Sequence, residues 1–573
     1  MNRIHLSGKL FFKNFKSIPY TDWCFKNKDV IKFIIKKKNF NVYTRLRLKK
    51  RKEEYQLIKK YIDVIFEKVS TILNTYHQVN LNNKYWKIVL YPWLNLYVPF
   101  LYLKWKSSKI VKKNKKNIFL TFGYNDEDFI ISSLENFKFD EDESLFYTNK
   151  ALENNNSEIK KIQIKKINRN IHKKNNFLSD MLLKIFFYLI KIFYKNKSFF
   201  LINTSIKIKE LLYIYLRSFK LPFFYKKLNY KQNKIDLNLR KKIFNNKLNK
   251  KDEFLNFFYE NLYLITPKSY IEDFENIRKL IHKYYPVGKK YKFFTAFNYK
   301  KDDIFKIWVA ENSLSKGKYY ILQHGGNFGI DEIMNEEDYV KIIADKFLTW
   351  GWSDDKRCLK FFNTNLPNRE NKLHIVGGNK TAKKKVLIIF HYFDKTLHRI
   401  SSQPNTNYER INKIYSLSRL TEKLQNDFDV TIRYRHKVEE YWDNKFDKSL
   451  FPKNLKFDDG SLPFNEIVNL YDLIIFDANS TTFLETCYYN KPSILLVDKD
   501  VQKTRKSFNL FHKSFIKNNI IFFDYSKLIN FLKKNKDVEN WWYSKSIQTL
   551  INKFCNKYIN TVENKYSEFK KIL

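Results

Sequence analysis

The feature that most constrains the fold is an alternation of short, apolar, β-rich runs with helical segments, which begins near Tyr291. YKFFTAF, KYYILQHGG and DKFLTWGW belong to a first series, and a second series runs from KVLIIFHYF to PSILLVD. Such alternation predicts parallel sheets with crossover helices. Continuous apolar strands such as VLIIF are expected where helices cover both faces of a sheet.

These two series predict an α/β chain with two Rossmann-like domains that face a cleft, and a helical N-terminal region. The length of 573 residues agrees, because single cores stop growing at about 250 to 300 residues. The predicted divisions are a helical region over 1–115, a first Rossmann-like domain over 116–380, a second over 381–525, and C-terminal helices over 526–573 that pack back on the cleft. Two open parallel sheets bind ligands at the carboxyl ends of their strands, so function is expected in the cleft.

Several stretches are predicted to be structural. Residues 45–80 have helical spacing, with one apolar face formed by Leu57, Ile58, Ile62, Ile65, Val69 and Ile72. Residues 88–105 are apolar and aromatic but contain two prolines, which favours a buried helix; a peripheral position at a membrane interface is the alternative. Residues 139–177 and 225–255 are predicted to be inserted surface segments without a chemical role.

The composition gives 108 Lys+Arg against 59 Asp+Glu, a formal charge of +49. Such a charge attracts nucleic acid or an anionic membrane face, but the excess is mostly lysine scattered through Asn- and Ile-rich stretches, as an AT-rich genome produces. The four cysteines form no CxxC pair, and the N-terminus lacks the apolar core of a secretory signal. We therefore expect a cytoplasmic protein, and a position at the inner face of the membrane is the alternative to a free one.

The run YDLIIFDANSTTFLET, residues 471–486, predicts a buried strand that leads into the first turn of a helix. Free backbone N–H groups, hydroxyls and the positive helix end form an anion site that suits a diphosphate. An ordinary N-cap is the simpler interpretation of the same pattern. The candidate binding residues are Asn479, Ser480, Thr481 and Thr482, and Glu485 one turn further on is a candidate for the ribose and for the catalytic set.

The run YYILQHGGNFGI predicts a strand that ends in Gln323 and His324 before Gly325 and Gly326. An imidazole at the carboxyl end of a strand suits general-base catalysis on an acceptor hydroxyl. The glycines permit a close backbone approach, and they are assigned to the binding site. Gln323 joins His324 among the catalytic candidates, and a structural histidine is the alternative.

The run TIRYRHK contributes basic residues at the end of another predicted strand. We expect Arg435 or His436 to pair with phosphate, while Arg433 packs elsewhere. The segment after the first strand of the second domain adds weaker candidates, His398, Arg399 and Ser402.

No Walker loop, GxSxG elbow, GxGxxG run or metal triad is present in the sequence. Asp458 and Asp459 are adjacent but resemble turn residues. Neither a metal nor a cofactor is therefore predicted.

The chain resembles the transferases of bacterial surface-carbohydrate clusters that are known by a Leptospira locus tag of the LIC type. The resemblance rests on LNTYHQVNLNNKYWKIVLYPWLNLY, WVAENSLSKGKYYILQHGGNFG, DKFLTWGW and YDLIIFDANSTTFLETCYYNKPSILL, spaced over nearly the whole chain. The family is similar to GT-B glycosyltransferases and glycerol-phosphate transferases, in which a His–Gly element faces the acceptor and a Ser/Thr–x–x–x–Glu element holds the donor.

The resemblance implies His324 as the base, Ser480, Thr481 and Thr482 as the diphosphate site, and Glu485 as the donor ribose or base contact. It implies a metal-independent transferase that moves a sugar or polyol-phosphate unit from a nucleotide-activated donor to a carbohydrate or lipid-linked acceptor. The setting would be capsule, polysaccharide or lipopolysaccharide synthesis, with a peripheral contact to an anionic membrane and no nucleic acid. A sugar-nucleotide epimerase on the same fold and a basic nucleic-acid-binding protein are the alternatives.

Overall fold

The structure is a computed structural model, and it describes residues 2–5, 17–19, 51–112, 117–164, 177–194, 197–245, 251–366, 383–391, 397–403, 406–434, 448 and 451–573. Within these ranges the chain forms three parallel sheets with helices between their strands. The predicted α/β class is confirmed by these sheets.

The N-terminal region contains strands β1 (Asn2–His5) and β2 (Ser17–Pro19) and helices α1 (Arg51–His77) and α2 (Asn83–Lys112). Most of the predicted apolar face of α1 is buried, but Leu57 is 38% exposed and its prediction as a core residue is wrong. The buried stripe passes through Tyr55, Ile58 and Ile62, and Leu57 projects beside it. The two strands were not expected in a helical region.

Helix α2 is buried on nearly all sides between Tyr85 and Leu103, so residues 88–105 form the predicted buried aromatic helix. Its two prolines lie inside the helix at Pro92 and Pro99. No helix in the described part of the chain is both long and apolar enough to cross a membrane.

A four-stranded sheet joins β1 and β2 to β3 (Asn117–Gly123) and β4 (Ile159–Ile164), with α3 (Glu141–Asn154) between the last two strands. Most of α3 is buried, because α3 packs on α2, so the expectation of a surface segment over 139–177 is wrong for this helix. The expectation of a surface segment over 225–255 is also wrong at Arg240. This side chain is fully buried and forms an ion pair with Glu272 at 2.6 Å.

The first large sheet has five strands in the order of the sequence: β5 (Phe199–Ile202), β6 (Lys292–Thr295), β7 (Lys318–Leu322), β8 (Lys346–Thr349) and β9 (Cys358–Lys360). Its connecting and flanking helices are α4 (Phe177–Ile190), α5 (Ile208–Arg217), α6 (Leu237–Ile243), α7 (Glu253–Glu260), α8 (Leu262–Ile265), α9 (Phe274–Tyr284), α10 (Asp303–Leu314) and α11 (Asn335–Ile343).

The second large sheet contains β10 (Lys385–Ile389), β11 (Asp429–Arg433), β12 (Lys456–Asp458), β13 (Leu473–Phe476), β14 (Ser493–Leu496) and β15 (Ile521–Phe522). The order β12-β11-β10-β13-β14-β15 is that of a dinucleotide-binding sheet, with its switch point between β10 and β13. The accompanying helices are α12 (Asn407–Leu424), α13 (Phe464–Ile467), α14 (Thr481–Tyr488), α15 (Asn509–Lys517), α16 (Tyr525–Lys534) and α17 (Val538–Trp542).

The last helices, α18 (Lys545–Tyr558) and α19 (Lys565–Lys570), connect the two halves. Helix α18 packs on α14 of the second domain, and α19 packs on α5 of the first. Between them, the backbone N–H of Asn560 donates to the Trp350 carbonyl at 2.9 Å. The chain therefore forms two parallel-sheet domains joined by its own C-terminus, which confirms the predicted GT-B-like fold class.

Candidate functional site

Gln323 follows directly after β7 and is buried. Its side-chain oxygen accepts hydrogen bonds from the Trp350 backbone N–H at 2.9 Å and from Trp352 Nε1 at 2.8 Å. Its amide donates to the Gly325 carbonyl at 2.8 Å. Because these contacts occupy both ends of the amide, Gln323 holds the turn that presents His324 and the glycines.

His324 lies beside a partly exposed ion pair. Its Nε2 is 2.9 Å from Lys300 Nζ and 3.5 Å from a Glu336 carboxylate oxygen, and Lys300 bonds the same carboxylate at 2.7 Å. Burial lowers the pKa of His324 to about 4, and the Glu336 carboxylate only partly opposes this. The imidazole is therefore neutral near pH 7, and its Nδ1 has no hydrogen-bond partner among the described residues.

Ser480 caps helix α14, since its hydroxyl accepts the Phe483 backbone N–H at 3.3 Å. The N-cap interpretation of this run is therefore correct for Ser480. The next two residues, Thr481 and Thr482, begin the helix and line a cavity at its N-terminus. The cap and the cavity occur together, because one hydroxyl closes the helix while its first turn remains open to a ligand.

The His–Gly turn of the first domain and the start of α14 are in direct contact. The Gly326 backbone N–H donates to Thr481 Oγ1 at 3.0 Å. A Cβ on Gly326 would lie 2.9 Å from Thr481 Cα and 3.1 Å from the Ser480 carbonyl oxygen, so only glycine allows this approach. The structure thus brings the His–Gly turn of the first domain onto the helix start of the second.

A cavity of about 510 Å³, here called the switch-point cavity, opens at the carboxyl ends of β10, β11 and β13. This is where open α/β sheets bind their ligands. Its lining residues come mainly from strand ends and from the start of α14: Ile389, Phe390, His391, Arg433, Tyr434, Asp477, Ala478, Asn479, Ser480, Thr481 and Thr482.

A second cavity of about 590 Å³, here called the interdomain cavity, lies between the first domain, the second domain and α2. It contains His324, Lys300, Glu336 and Gly325 from the first domain. Asn327, Gln403 and Thr481 line both cavities, so the two spaces meet at these side chains.

Helix α2 supplies one wall of the interdomain cavity through Pro92, Asn95 and Leu96. Pro99 has no backbone N–H, so it cannot bond the Asn95 carbonyl four residues earlier. That carbonyl instead accepts the Asn335 side-chain amide at 3.2 Å, and Asn335 also lines the cavity. The unpaired carbonyl that Pro99 leaves in α2 therefore forms a hydrogen bond that links α2 to α11.

Asp331 is a candidate that the sequence analysis missed. It is buried, lines the interdomain cavity, and accepts hydrogen bonds from Asn327 at 2.8 Å and Asn479 at 3.1 Å. Burial raises the pKa of Asp331 to about 7. A carboxyl group that titrates near neutral pH in a cavity is a typical functional group, but no motif marks this residue in the sequence.

Asp477 was missed as well. It ends the LIIFD run, lines the switch-point cavity, and accepts the His391 backbone N–H at 2.8 Å through one oxygen. Burial raises the pKa of Asp477 to about 6. Its other carboxylate oxygen has no partner among the described residues, and its position directly after a buried strand was the available signal.

The sequence analysis expected Arg433 to pack away from the cleft, but the structure places it at the cleft. Strand β11 ends at Arg433, two residues earlier than assumed, so this side chain is the one at the carboxyl edge. It lines the switch-point cavity, and its two terminal nitrogens bond Asp458 at 2.6 Å and the Leu462 carbonyl. Arg435 and His436 lie outside the described residues.

The remaining predicted residues are near the cavities to different degrees. Arg399 and His398 line the interdomain cavity, and His398 stacks at 3.8 Å on Phe139, which was expected to carry no role. Ser402 accepts the Ile333 backbone N–H at 2.9 Å. Glu485 lies outside the lining of both cavities, and burial raises its pKa to about 7.

Asp459 caps a turn by accepting the Ser461 backbone N–H at 2.9 Å, in agreement with the turn prediction. Among the residues that the structure describes, no group of three or more His, Cys, Asp or Glu side chains could hold a metal ion.

Comparison with solved structures gives weak likenesses. The S. aureus MnaA–UDP co-structure is 11% identical, with a TM-score of 0.35, over 65% of this chain and 94% of that chain. The wall teichoic acid polymerase TagF is 12% identical, with a TM-score of 0.26, over 51% and 82%. The spinosyn rhamnosyltransferase SpnG is 10% identical, with a TM-score of 0.30, over 52% and 77%. The fold assignment rests on the sheet order and not on these values.

No curated protein matches the chain in sequence. A family model described as the LIC12162 family transferase matches residues 9–573. The match includes the His–Gly turn, the start of α14 and both cavities. The chain therefore belongs to the LIC12162 family of transferases.

Proposed function

We propose that the protein transfers a sugar or polyol-phosphate unit from a nucleotide-activated donor in the switch-point cavity to a hydroxyl acceptor in the interdomain cavity. The observation that carries the proposal is the meeting of the two cavities at Asn327, Gln403 and Thr481. A transferase must hold two substrates with their reacting atoms in contact, and adjoining cavities satisfy this requirement.

The switch-point cavity suits the donor in size and in charge. Its volume of about 510 Å³ is within the range of small-molecule sites. The free N–H groups at the start of α14 and the Arg433 guanidinium are groups that bind a diphosphate. Asp477, at the same strand edge, offers an oxygen that can accept a hydrogen bond from a nucleoside hydroxyl.

His324 is our candidate for the base that removes the acceptor proton. Its pKa of about 4 keeps the imidazole neutral and able to accept a proton near pH 7. Nε2 faces Lys300, whose ammonium also bonds Glu336. In this proposal the acceptor hydroxyl replaces Lys300 at Nε2, while Glu336 retains the lysine nearby.

We also propose a pathway for this transfer, which the family description, a transferase, leaves open. A donor cavity next to an acceptor cavity is what the synthesis of capsule, polysaccharide or lipopolysaccharide requires, with a carbohydrate or lipid-linked acceptor and a cytoplasmic nucleotide donor. An epimerase acts within one nucleotide-sugar and needs no second cavity. A nucleic-acid-binding protein predicts salt-sensitive binding of oligonucleotides and indifference to mononucleotides.

The test is calorimetric titration with CMP, CDP, UDP, GDP and a single-stranded oligonucleotide at two salt concentrations. Wild type is compared with Thr482→Val, which removes a cavity hydroxyl, and with Thr549→Val, which removes an exposed hydroxyl from α18. We expect one nucleotide to bind selectively, and Thr482→Val to weaken it by about tenfold, since a hydrogen bond to a charged group is lost. Oligonucleotide binding that collapses with salt, with no nucleotide bound, would overturn the proposal.

A further inference from the structure

Helix α4 presents apolar side chains to solvent along most of its length. Met181, Leu182, Phe186 and Leu189 are 43 to 57% exposed, and Ile192 and Phe193 in the turn that follows are 67% and 65% exposed. We call these six side chains the apolar face. A surface helix of a soluble protein normally directs polar residues outward, so this helix needs an apolar or interfacial neighbour.

The apolar face is not the core side of α4. The core side is formed by Phe187, which is buried and packs on Phe223 at 5.4 Å and on Tyr285 at 5.5 Å. The helix is therefore anchored to the first domain through one stripe, and the apolar face is what remains outside.

The exposed apolar area continues on the neighbouring segment. Phe219 is 95% exposed, and Leu221 and Phe224 are 49% and 54% exposed. This segment adjoins the end of α4, because Tyr194 donates a hydrogen bond to the Pro222 carbonyl at 3.2 Å. Two adjoining elements thus form one contiguous apolar patch. Ordinary protein surfaces carry apolar side chains mostly as scattered single residues.

The stretch of sequence that forms the patch is strongly basic. Residues 177–227 contain 10 Lys+Arg and 2 acidic residues. Both acids are engaged: Asp180 pairs with Lys184 at 2.7 Å, and Glu210 pairs with Lys565 at 2.8 Å. Apolar side chains with a strong excess of basic neighbours match an interfacial surface for anionic lipid.

We propose that the apolar face and its basic surroundings dock the protein on an anionic lipid bilayer, with α4 lying in the interface. A second copy of the chain is a poorer occupant, because pairing this surface with itself would bring two strongly basic segments together. For residues 88–105 the sequence analysis favoured a buried helix and gave a membrane contact as the alternative. That helix is buried, and the docking surface proposed here is a different one.

The docking surface and the interdomain cavity belong to the same domain, and one hydrogen bond joins segments next to each. Directly after Phe224, Tyr225 donates to a carboxylate oxygen of Asp302 at 2.8 Å, and Lys300 and Lys301 just before Asp302 line the cavity. A lipid-linked acceptor would therefore meet the cavity from the same domain that touches the bilayer. This last step rests on the proposed function, whereas the docking itself does not.

The test is co-sedimentation of the full chain with vesicles of phosphatidylglycerol and phosphatidylethanolamine, and with phosphatidylcholine vesicles. One variant combines Leu182→Ser, Phe186→Ser and Phe193→Ser. Its matched control combines Val64→Ser, Leu470→Ser and Leu510→Ser, which remove side chains that are 50%, 60% and 81% exposed on other elements. Nucleotide titration and thermal unfolding are measured on every protein.

We expect the wild type and the control variant to bind the anionic vesicles, and high salt to weaken this binding. The affinity of the α4 variant for the anionic vesicles should be about a hundredfold lower, since three apolar side chains no longer enter the interface. Equal binding by the α4 variant, or a wild-type dimer that this variant converts to a monomer, would overturn the proposal. Because nucleotide titration needs no membrane, its result separates a failure of docking from a failure of the transferase assignment.

Discussion

The backbone N–H of Gly326 donates a hydrogen bond to the Thr481 hydroxyl at 3.0 Å, across the boundary between the two sheet domains. One partner belongs to the turn that carries His324, and the other belongs to the first turn of α14. The contact holds the turn that carries His324 against Thr481, a residue that lines both cavities.

Gly326→Ala should therefore separate the two motifs. The new Cβ would lie 2.9 Å from Thr481 Cα, a contact that requires the backbone to move. We expect kcat/KM of the transfer reaction to fall by about a hundredfold, since small displacements between reacting groups are costly. Gly325→Ala is the matched control, because its Cβ would meet side-chain atoms and no backbone atom: the Phe328 ring at 3.3 Å and Thr481 Oγ1 at 3.9 Å. Equal activities of the two variants would contradict this relationship.

Arg433→Leu should weaken donor binding. The guanidinium lines the switch-point cavity at the end of β11, and a diphosphate bound there would gain charge-assisted hydrogen bonds from it. Calorimetry should show about tenfold weaker nucleoside diphosphate binding and little change for the nucleoside alone. Lys456→Leu, which removes an exposed cation from the neighbouring strand β12, is the control and should bind like wild type.

The pH dependence of the transfer reaction should identify the base. With His324 as the base, kcat/KM stays level from about pH 8 down to pH 5 and falls as the pH approaches its pKa of about 4, where the imidazole becomes protonated. Asp331→Asn should retain that profile. A fall centred near pH 7, the pKa of Asp331, that disappears in Asp331→Asn would instead assign the base to Asp331.

Arg505→Ala should destabilise the junction between the domains. Arg505 bonds the fully buried Glu337 at 2.6 Å, Asp354 at 2.7 Å and the Asp331 carbonyl at 2.8 Å. Its removal leaves the buried Glu337 carboxylate with one charged partner, Lys341, and with the Gly329 backbone N–H at 2.8 Å. The unfolding free energy should therefore fall by about 3 kcal/mol. Denaturant unfolding measures this, with the exposed Lys503→Ala as control. An unchanged unfolding midpoint for Arg505→Ala would show that the pair contributes nothing.

The sequence was informative where strands end in turns. The QHGG and NSTT runs are local patterns, since a strand, a flexible turn and a helix start each follow from a few adjacent residues. Both were located correctly relative to their strands. Their mutual contact could not be read from either run, because it depends on the packing of two domains.

Other parts of the site are formed only by packing. The pKa of Asp331 follows from burial among residues from both domains, and nothing beside it in the sequence signals this. Arg433 was misplaced because the end of β11 was set two residues too late, and strand ends are poorly determined by local propensity. Leu57 was misplaced in α1, because an apolar residue at the border of a helical stripe can project to either side.

The hydrogen bond from Asn335 to the Asn95 carbonyl has a consequence for engineering. The wall that an acceptor meets is encoded in two distant stretches of sequence, one in the N-terminal helix and one after the His–Gly turn. A chimaera that exchanged only the first sheet domain between relatives would join mismatched walls. If the interdomain cavity holds the acceptor as proposed, acceptor preference should transfer only when both stretches are exchanged together, and α2 would then act as a specificity element.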